Sequence, residues 1–197
     1  SFVEFATGFR NDLDTIGQLC RENGVLFFVD AIQGLGVLPL DVSKTPIDAL
    51  AADGHKWLLG PEGAGILWMR RELVERLEPI NIGWNSVVGA WEFSTIDFRL
   101  KPHVGRWESG TLNMGGNVAL GASLDLLMAI GVSRIDERLH ALTERLCQSV
   151  ERTGWRVHSS RQGQEWSGIV SLEAPDGIDP TRTVKELRSR GVVVNLR

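Results

Sequence analysis

The most constraining feature of the sequence is an unbroken apolar run, Val25–Val29, that ends directly in Asp30. Five consecutive apolar residues without polar alternation are typical of a strand covered on both faces, as in a parallel sheet. Two further apolar stretches follow, Ile47–Ala52 and Ala64–Met69, separated by loops rich in glycine and proline. Three such strands with few hairpin motifs predict an α/β fold with a mostly parallel sheet.

Helical patterns accompany these strands at four places: Asp12–Asn23, Arg71–Leu77, Met114–Ile130 and Val132–Arg152. The last two are separated by Gly131, which indicates a hinge between two domains. We therefore predict that residues 1–130 form part of a large domain and that residues 131–197 form part of a small C-terminal α/β domain. Between the second and third helices, Glu78–Gly110 shows no sustained period and is predicted to be a long functional or interface loop.

The C-terminal third of the chain has a β-β-α-β order. Its predicted elements are two strands, a helix and a final strand: Trp155–His158, Ile169–Leu172, Pro180–Arg190 and Val192–Leu196. No element completes this layer after the final strand, and the first residue is Ser1 rather than Met. We therefore expect the small domain to be incomplete and the chain to be a piece of a longer polypeptide.

Composition excludes several classes of function. The 197 residues carry a formal net charge of -4 and no basic block, which argues against a nucleic-acid partner. The sequence shows neither a signal-peptide pattern nor an apolar run of about 18 residues, so we predict a cytoplasmic protein without a membrane partner. Cys20 and Cys147 lack the spacing of a disulfide framework or a zinc site, and no metal is expected.

The residues that carry chemistry fall in two windows. Asp30 stands at the end of a buried strand, where open α/β sheets bind ligands, and Gln33 follows three residues later. The second window is Gly54-His55-Lys56, followed by Gly60-Pro61-Glu62-Gly63. A lysine between an imidazole and an aromatic ring, with glycines that permit close backbone approach, suits attack on an aldehyde.

Each of these residues has an ordinary structural alternative when taken alone. Lys56 could be a solvated surface lysine, and Asp30 could cap the turn that follows its strand. His55 could be a structural histidine, and Thr111 could cap the helix that begins near Met114. The combination, rather than any single residue, favours a functional site.

The combined pattern resembles the class V aminotransferase family, which includes cysteine desulfurases, kynureninases and isopenicillin-epimerase-like enzymes. The resemblance covers essentially the whole chain and implies a fold-type-I architecture that binds pyridoxal 5′-phosphate (PLP). It further implies an enzyme, of transferase or lyase type, that acts on a small amino acid substrate.

The resemblance also implies a role for each matched residue. Lys56 would form a Schiff base with PLP and act as a general base or acid at the substrate α-carbon. Asp30 would pair with the pyridinium nitrogen, which keeps the ring an electron sink. Gln33 would hydrogen-bond the phenolic oxygen, and His55 would bind the phosphate. Thr111, in a matching Glu-Ser-Gly-Thr segment, would reach the phosphate of a neighbouring subunit, which implies a homodimer.

The sequence departs from the family pattern at Asp53, where many relatives carry a hydroxyl residue that touches the phosphate. A carboxylate there would repel the phosphate unless it turned away or were bridged, so we leave Asp53 out of the phosphate site. The family's N-terminal phosphate cradle, its ring-stacking residue and its substrate-binding arginine have no match in this chain.

The reaction itself stays open between desulfuration, transamination, racemisation and side-chain cleavage, which share this anchoring set. A desulfurase needs a nucleophilic cysteine in a mobile loop, whereas Cys20 and Cys147 both fall in helical patterns. This argues against desulfuration if the chain is complete, whereas in a longer polypeptide the cysteine could lie downstream. The alternative from another class is a non-catalytic fragment or interaction module that keeps the fold core without holding the cofactor productively. Bound cofactor distinguishes the two.

Overall fold

The computed structural model describes residues 1–197. It contains five helices: α1 (Leu13–Glu22), α2 (Arg71–Arg76), α3 (Met114–Ile130), α4 (Val132–Glu151) and α5 (Pro180–Ser189). It contains five strands: β1 (Phe28–Asp30), β2 (Ala49–Asp53), β3 (Gly65–Met69), β4 (Arg156–Val157) and β5 (Leu172–Glu173). Two short 3₁₀ turns, Trp84–Ser86 and Val104–Trp107, interrupt the long loop between α2 and α3.

The central sheet has the order β1-β2-β3. β1 pairs with β2 in parallel, with Asp30 opposite Ala51, and β2 pairs with β3 in antiparallel fashion, with Asp53 opposite Gly65. The sheet in this chain is therefore mixed, because β3 returns from β2 through a tight loop instead of a helical crossover. All three predicted strands are present.

The first strand is shorter and more open than the apolar run predicted. β1 begins at Phe28, whose side chain is 57% exposed, while Val29 is buried. The strand does not extend back to Val25, because the Val25 amide donates to the Cys20 carbonyl at the end of α1 and the Phe27 amide donates to the Asp48 carboxylate. The expectation of a strand covered on both faces is thus wrong within this chain: one face of β1 is open.

A single apolar cluster of 15 buried residues holds the sheet against α3. Val29 and Leu50 contribute from the sheet, and Leu120 and Leu127 contribute from α3. Trp166, from the far end of the sequence, belongs to the same cluster. Burial of apolar surface on this scale is the main favourable contribution to folding. The core thus draws on residues from both predicted domains.

Hydrogen bonds also join the beginning of the chain to its C-terminal third. We call this contact region, in which residues 6–10 meet residues 159–171, the N-terminal seam. The buried Ser167 hydroxyl donates to the Gly8 carbonyl at 2.7 Å, and the Arg10 amide donates to the Glu165 carbonyl at 2.8 Å. The hydroxyl of Ser171 donates to a further carbonyl of the first segment. These contacts cross the predicted boundary at residue 130, and the division into two domains stays a prediction.

α3 and α4 meet at Gly131, whose φ of 90° is a conformation that glycine adopts readily. The two helices are bent by 77° at this residue. Neither helix alone combines the length and apolar character required to span a membrane, although the bent pair together meets those two criteria.

The C-terminal elements differ from the prediction at one point. β4 and β5 pair with each other over two residues, and α5 follows as expected. The predicted strand Val192–Leu196 is not formed, and these residues are exposed. The Val192 amide donates back to the Leu187 carbonyl at the end of α5, which holds the first of these residues in the turn after the helix.

The long loop between α2 and α3 carries an aromatic group. Trp84 and Trp91 pack edge to face with ring centroids 5.0 Å apart, and Phe93 lies 6.4 Å from Trp91. Trp91 and Phe93 are each more than three-quarters exposed. The Arg106 guanidinium fastens the loop to α2 by donating to the Val74 carbonyl at 3.0 Å.

Candidate functional site

Asp30 leaves the sheet at the end of β1, with its carboxylate exposed. One carboxylate oxygen accepts a 3.0 Å hydrogen bond from the Ile32 amide, which starts the turn that follows the strand. The amides of Gly34 and Leu35 both donate to the Ala31 carbonyl, so Gln33 sits within a single compact turn. The capping role considered for Asp30 is therefore present, and it uses only one of the two oxygens.

The segment that carries Lys56 is a compact loop between β2 and β3, residues 54–64, which we call the lysine loop. Its two ends are tied together because the Gly54 amide donates to the Ala64 carbonyl at 2.7 Å. Its interior is closed by the Gly60 amide, which donates to the Gly54 carbonyl at 2.8 Å. Lys56 lies half-buried in this loop and forms none of the seven ion pairs of the chain.

The glycines of the lysine loop permit its close approach to α3. A Cβ atom at Gly60 would lie 2.7 Å from the Leu120 Cδ1 atom, and one at Gly54 would lie 2.7 Å from the Ala64 carbonyl oxygen. Both distances are shorter than van der Waals contact permits. A larger residue at Gly60 would push the loop away from α3, and one at Gly54 would force the two ends of the loop apart.

Two polar side chains of α3 and its cap fasten the lysine loop. The Ser123 hydroxyl donates to the Leu59 carbonyl at 2.8 Å. The Asn113 amide group donates to the Gly63 carbonyl at 3.1 Å, while its oxygen accepts from the Gly116 amide at 3.0 Å as the N-cap of α3. Sequence reasoning missed both residues. Asparagine directly before a helical run indicates a cap, but no local pattern indicates the contacts with a loop 50 or more positions earlier.

His55 and Asp53 form an ion-pair contact at the start of the lysine loop. The His55 Nδ1 atom lies 3.1 Å from the Asp53 Oδ1 atom. The Asp53 side chain is 41% exposed as a whole, yet its Oδ1 atom is buried and accepts no hydrogen bond of good geometry. The His55 imidazole beside it lowers the pKa of the Asp53 carboxyl below its ordinary value. Sequence reasoning singled out both residues but did not foresee that they pair.

The fold brings four of the five predicted residues to one edge of the sheet. β1 and β2 are parallel neighbours, so the segments that follow them, with Asp30 and Gln33 on one and His55 and Lys56 on the other, leave from the same edge. Thr111 is exposed and lies two residues before the α3 cap. Asn113, rather than Thr111, caps the helix, which removes the structural alternative considered for Thr111.

Two cavities in the molecule lie away from this edge. Their volumes are about 530 and 620 Å³, and one lies beside the start of α1 and one in the aromatic loop between α2 and α3. The chemistry of the site therefore has to be judged from its side chains and not from the size of a cavity.

A family model described as aminotransferase class V matches residues 1–196. The chain belongs to the class V aminotransferase family. The predicted membership of a PLP-dependent enzyme family is thereby confirmed. A probable cysteine desulfurase of Pyrococcus abyssi is 30% identical over 173 residues, which cover 88% of this chain and 42% of that protein. Another from Methanothermobacter thermautotrophicus is 35% identical over 185 residues, covering 94% and 45%.

Solved structures agree with this assignment. The apo cysteine desulfurase of Thermococcus onnurineus NA1 superposes with a TM-score of 0.88 at 28% identity and covers 98% of this chain and 48% of that one. The cystine C-S lyase C-DES, in complex with its reaction product cysteine persulfide, has a TM-score of 0.89 at 23% identity, covers 100% of this chain and 52% of that one, and shows the shared fold. The predicted fold class is confirmed. The chain spans less than half the length of the two curated relatives.

The side chains at the sheet edge fit PLP by their chemistry. The cofactor offers an aldehyde, a basic ring nitrogen, a phenolic oxygen and a phosphate. The edge offers the Lys56 amine, which has no ion-pair partner, and the Asp30 carboxylate, of which only one oxygen accepts a hydrogen bond. It also offers the Gln33 amide and the His55 imidazole. Each group of the cofactor thus has a complementary side chain among the residues present.

Proposed function

We propose that this chain is the cofactor-anchoring part of a PLP-dependent enzyme that acts on an amino acid, with Lys56 forming the Schiff base to the cofactor. The observation that carries the proposal is the placement of Lys56: half-buried, free of ion pairs, and held in a loop fastened to α3 at the sheet edge where Asp30 also emerges. A lysine without a carboxylate partner is available for covalent chemistry.

PLP, when bound, supplies an electron sink for charge released at the amino acid α-carbon. The residues of this chain would hold it and move protons. The Asp30 oxygen that is not engaged by the Ile32 amide would pair with the ring nitrogen. The Lys56 amine, once released from the cofactor, would take up or deliver a proton at the substrate α-carbon.

The remaining polar residues complete the proposed anchoring set. Gln33 would donate to the phenolic oxygen from the turn after β1, and His55 would bind the phosphate. Thr111, which is exposed and makes no capping contact, would reach the phosphate of a second subunit, so a homodimer is part of the proposal. The cytoplasmic location stays a prediction.

Several curated relatives are named cysteine desulfurases, and this activity is the reaction that the comparisons favour. The two cysteines of this chain do not supply its nucleophile in the described structure. Cys147 is buried in α4, and its burial raises the pKa of the thiol, which disfavours the reactive thiolate. Cys20 lies within α1 and not in a loop. We therefore propose amino acid chemistry at PLP without a cysteine nucleophile from these residues.

The test is the absorbance spectrum of the chain with added PLP, followed by borohydride reduction and peptide mapping. We expect a band in the visible or near-ultraviolet that reduction fixes onto the Lys56 peptide. Lys56→Ala should abolish the band. The matched control is Lys44→Ala, because the Lys44 side chain is 82% exposed and pairs only with Asp41.

Either of two results would contradict the proposal. A band that persists in Lys56→Ala would place the covalent linkage elsewhere. A folded wild-type chain with no reducible band would favour the alternative of a non-catalytic interaction module. Circular dichroism of each variant distinguishes loss of the site from loss of the fold.

A further inference from the structure

Asp53 is the last residue of β2 and stands two residues before His55. Its Oδ1 atom is buried, although the side chain as a whole is partly exposed, and the His55 Nδ1 atom at 3.1 Å is the basic group that it faces. A buried carboxylate oxygen without a well-aligned donor is costly unless a positive or proton-bearing group compensates for it. The imidazole of His55 is placed to be that group.

A carboxylate accepts hydrogen bonds and cannot donate them when it is ionised. The short contact therefore favours an imidazole that carries a proton on Nδ1. A phosphate oxygen is also an acceptor, so the form that serves both partners is the imidazolium, in which Nε2 carries a proton as well. The contact is imperfectly aligned in the free protein, and such bonds commonly tighten when the ligand arrives.

We propose that Asp53 is a positioning residue, whose carboxylate accepts from the Nδ1–H group of the His55 imidazolium and so orients its Nε2–H group to donate to the phosphate of the cofactor. This inference rests on the proposed function. In this arrangement the Asp53 carboxylate can lie near the phosphate site without touching the phosphate, since the His55 imidazole lies between the two anions. The lowered pKa of the Asp53 carboxyl is consistent with this arrangement, because the ionised form is the one that accepts the bond.

The first experiment needs no cofactor. The ring ¹⁵N shifts of histidine report which nitrogen bears the proton, and with only four histidines in the sequence the His55 signals can be assigned by comparison with His55→Gln. We expect the form with a proton on both ring nitrogens to be more populated in the wild-type chain than in Asp53→Asn at the same pH, because this substitution keeps the shape of the side chain and removes its charge. Equal populations in the two proteins would overturn the inference.

The second experiment is a double-mutant cycle on PLP affinity, measured from the reducible absorbance band. Asp53→Asn should weaken PLP binding about 10-fold, the scale typical of residues that orient a ligating histidine. In the His55→Gln background the same substitution should have almost no further effect, because Asp53 acts through the imidazole. An equal loss in both backgrounds would show a direct or merely structural role and overturn the inference.

The two proposals fail in different ways. If the wild-type chain shows no PLP band, the proposed function fails and the inference that depends on it falls as well. If the band is present but Asp53→Asn changes neither the His55 protonation nor PLP affinity, the proposed function stands and the inference alone is overturned.

Discussion

The Ser123 hydroxyl of α3 donates a 2.8 Å hydrogen bond to the carbonyl oxygen of Leu59, the only residue other than glycine with a positive φ, at 56°. Left-handed backbone in a leucine costs about 1–2 kcal/mol, so the surrounding contacts have to maintain it. Leu59 is three residues after Lys56, and its amide donates to the Lys56 carbonyl at 3.0 Å. The bond from α3 therefore supports the turn on which the position of Lys56 depends.

Ser123→Ala should lower the free energy of unfolding by about 1 kcal/mol, because the Leu59 carbonyl loses its donor. The matched control is Ser149→Ala on α4, whose hydroxyl donates only to the Arg145 carbonyl of its own helix. That control should change stability by less than about 0.5 kcal/mol. Urea unfolding of both variants provides the measurement, and equal losses would argue against a fastening role for Ser123.

Leu59→Gly should raise the free energy of unfolding by up to about 1 kcal/mol, since glycine adopts positive φ without strain. Little burial is lost, because the Leu59 side chain is 58% exposed. The neighbouring substitution Leu58→Ala is the contrast: Leu58 is only 3% exposed and belongs to the core, so the loss should be about 2–5 kcal/mol. Destabilisation by Leu59→Gly would mean that the side chain packs more than its exposure indicates.

Gly8→Ala should be strongly destabilising, by about 3 kcal/mol or more. Gly8 has a φ of 73°, and an added Cβ would lie 2.2 Å from the Ile169 carbonyl oxygen, which would force the N-terminal seam apart. Gly24→Ala separates the strain of a positive φ from the steric clash, because Gly24 has a similar φ of 66° but no atom lies within 4 Å of an added Cβ. It should cost only about 1 kcal/mol. Thermal unfolding measures the loss of stability in both variants. Similar losses would indicate that the N-terminal seam accommodates the added methyl group at little cost.

Asp41 should make stability depend on pH in acid. Bonds from the Ser43 hydroxyl and amide, with Lys44 nearby, lower the pKa of Asp41 from 3.8 to about 2. Because the unfolded chain binds the proton more readily, this contribution is present above about pH 4 and is lost as pH falls toward 2. The stability difference between wild type and Asp41→Asn should therefore shrink over this window in pH-dependent urea unfolding. A constant difference would show that the carboxylate is not stabilised in the folded state.

The sequence predicted elements best where local chemistry defines their ends. The bounds of α3 match the predicted segment, because Asn113 caps its start and Gly131 ends it with a positive φ. α1 likewise begins after Asp12, whose carboxylate accepts from the amides of Asp14 and Thr15. These are contacts within a few residues, which a single sequence contains.

Features that depend on distant partners were not predicted. The length of β1 is set by the Asp48 carboxylate and by the end of α1. The fastening of the lysine loop by Ser123 is a contact across 64 positions. The site residues themselves were found through a family pattern, and their individual roles remain predictions until the Lys56 and Asp53 experiments are done.

The N-terminal seam has a consequence for the order in which the molecule is made. Its serine donors lie 159 and 165 positions after the carbonyls that they contact in residues 6–8. At a synthesis rate of about 5–20 residues per second, roughly 10–30 s separate the two sides of the seam on the ribosome. During that interval the Ala6 and Gly8 carbonyls lack these donors, although the Phe2 amide can already donate to the Asp30 carbonyl. The N-terminal seam therefore closes only after residue 171 has been made, which places it late in the folding of this chain.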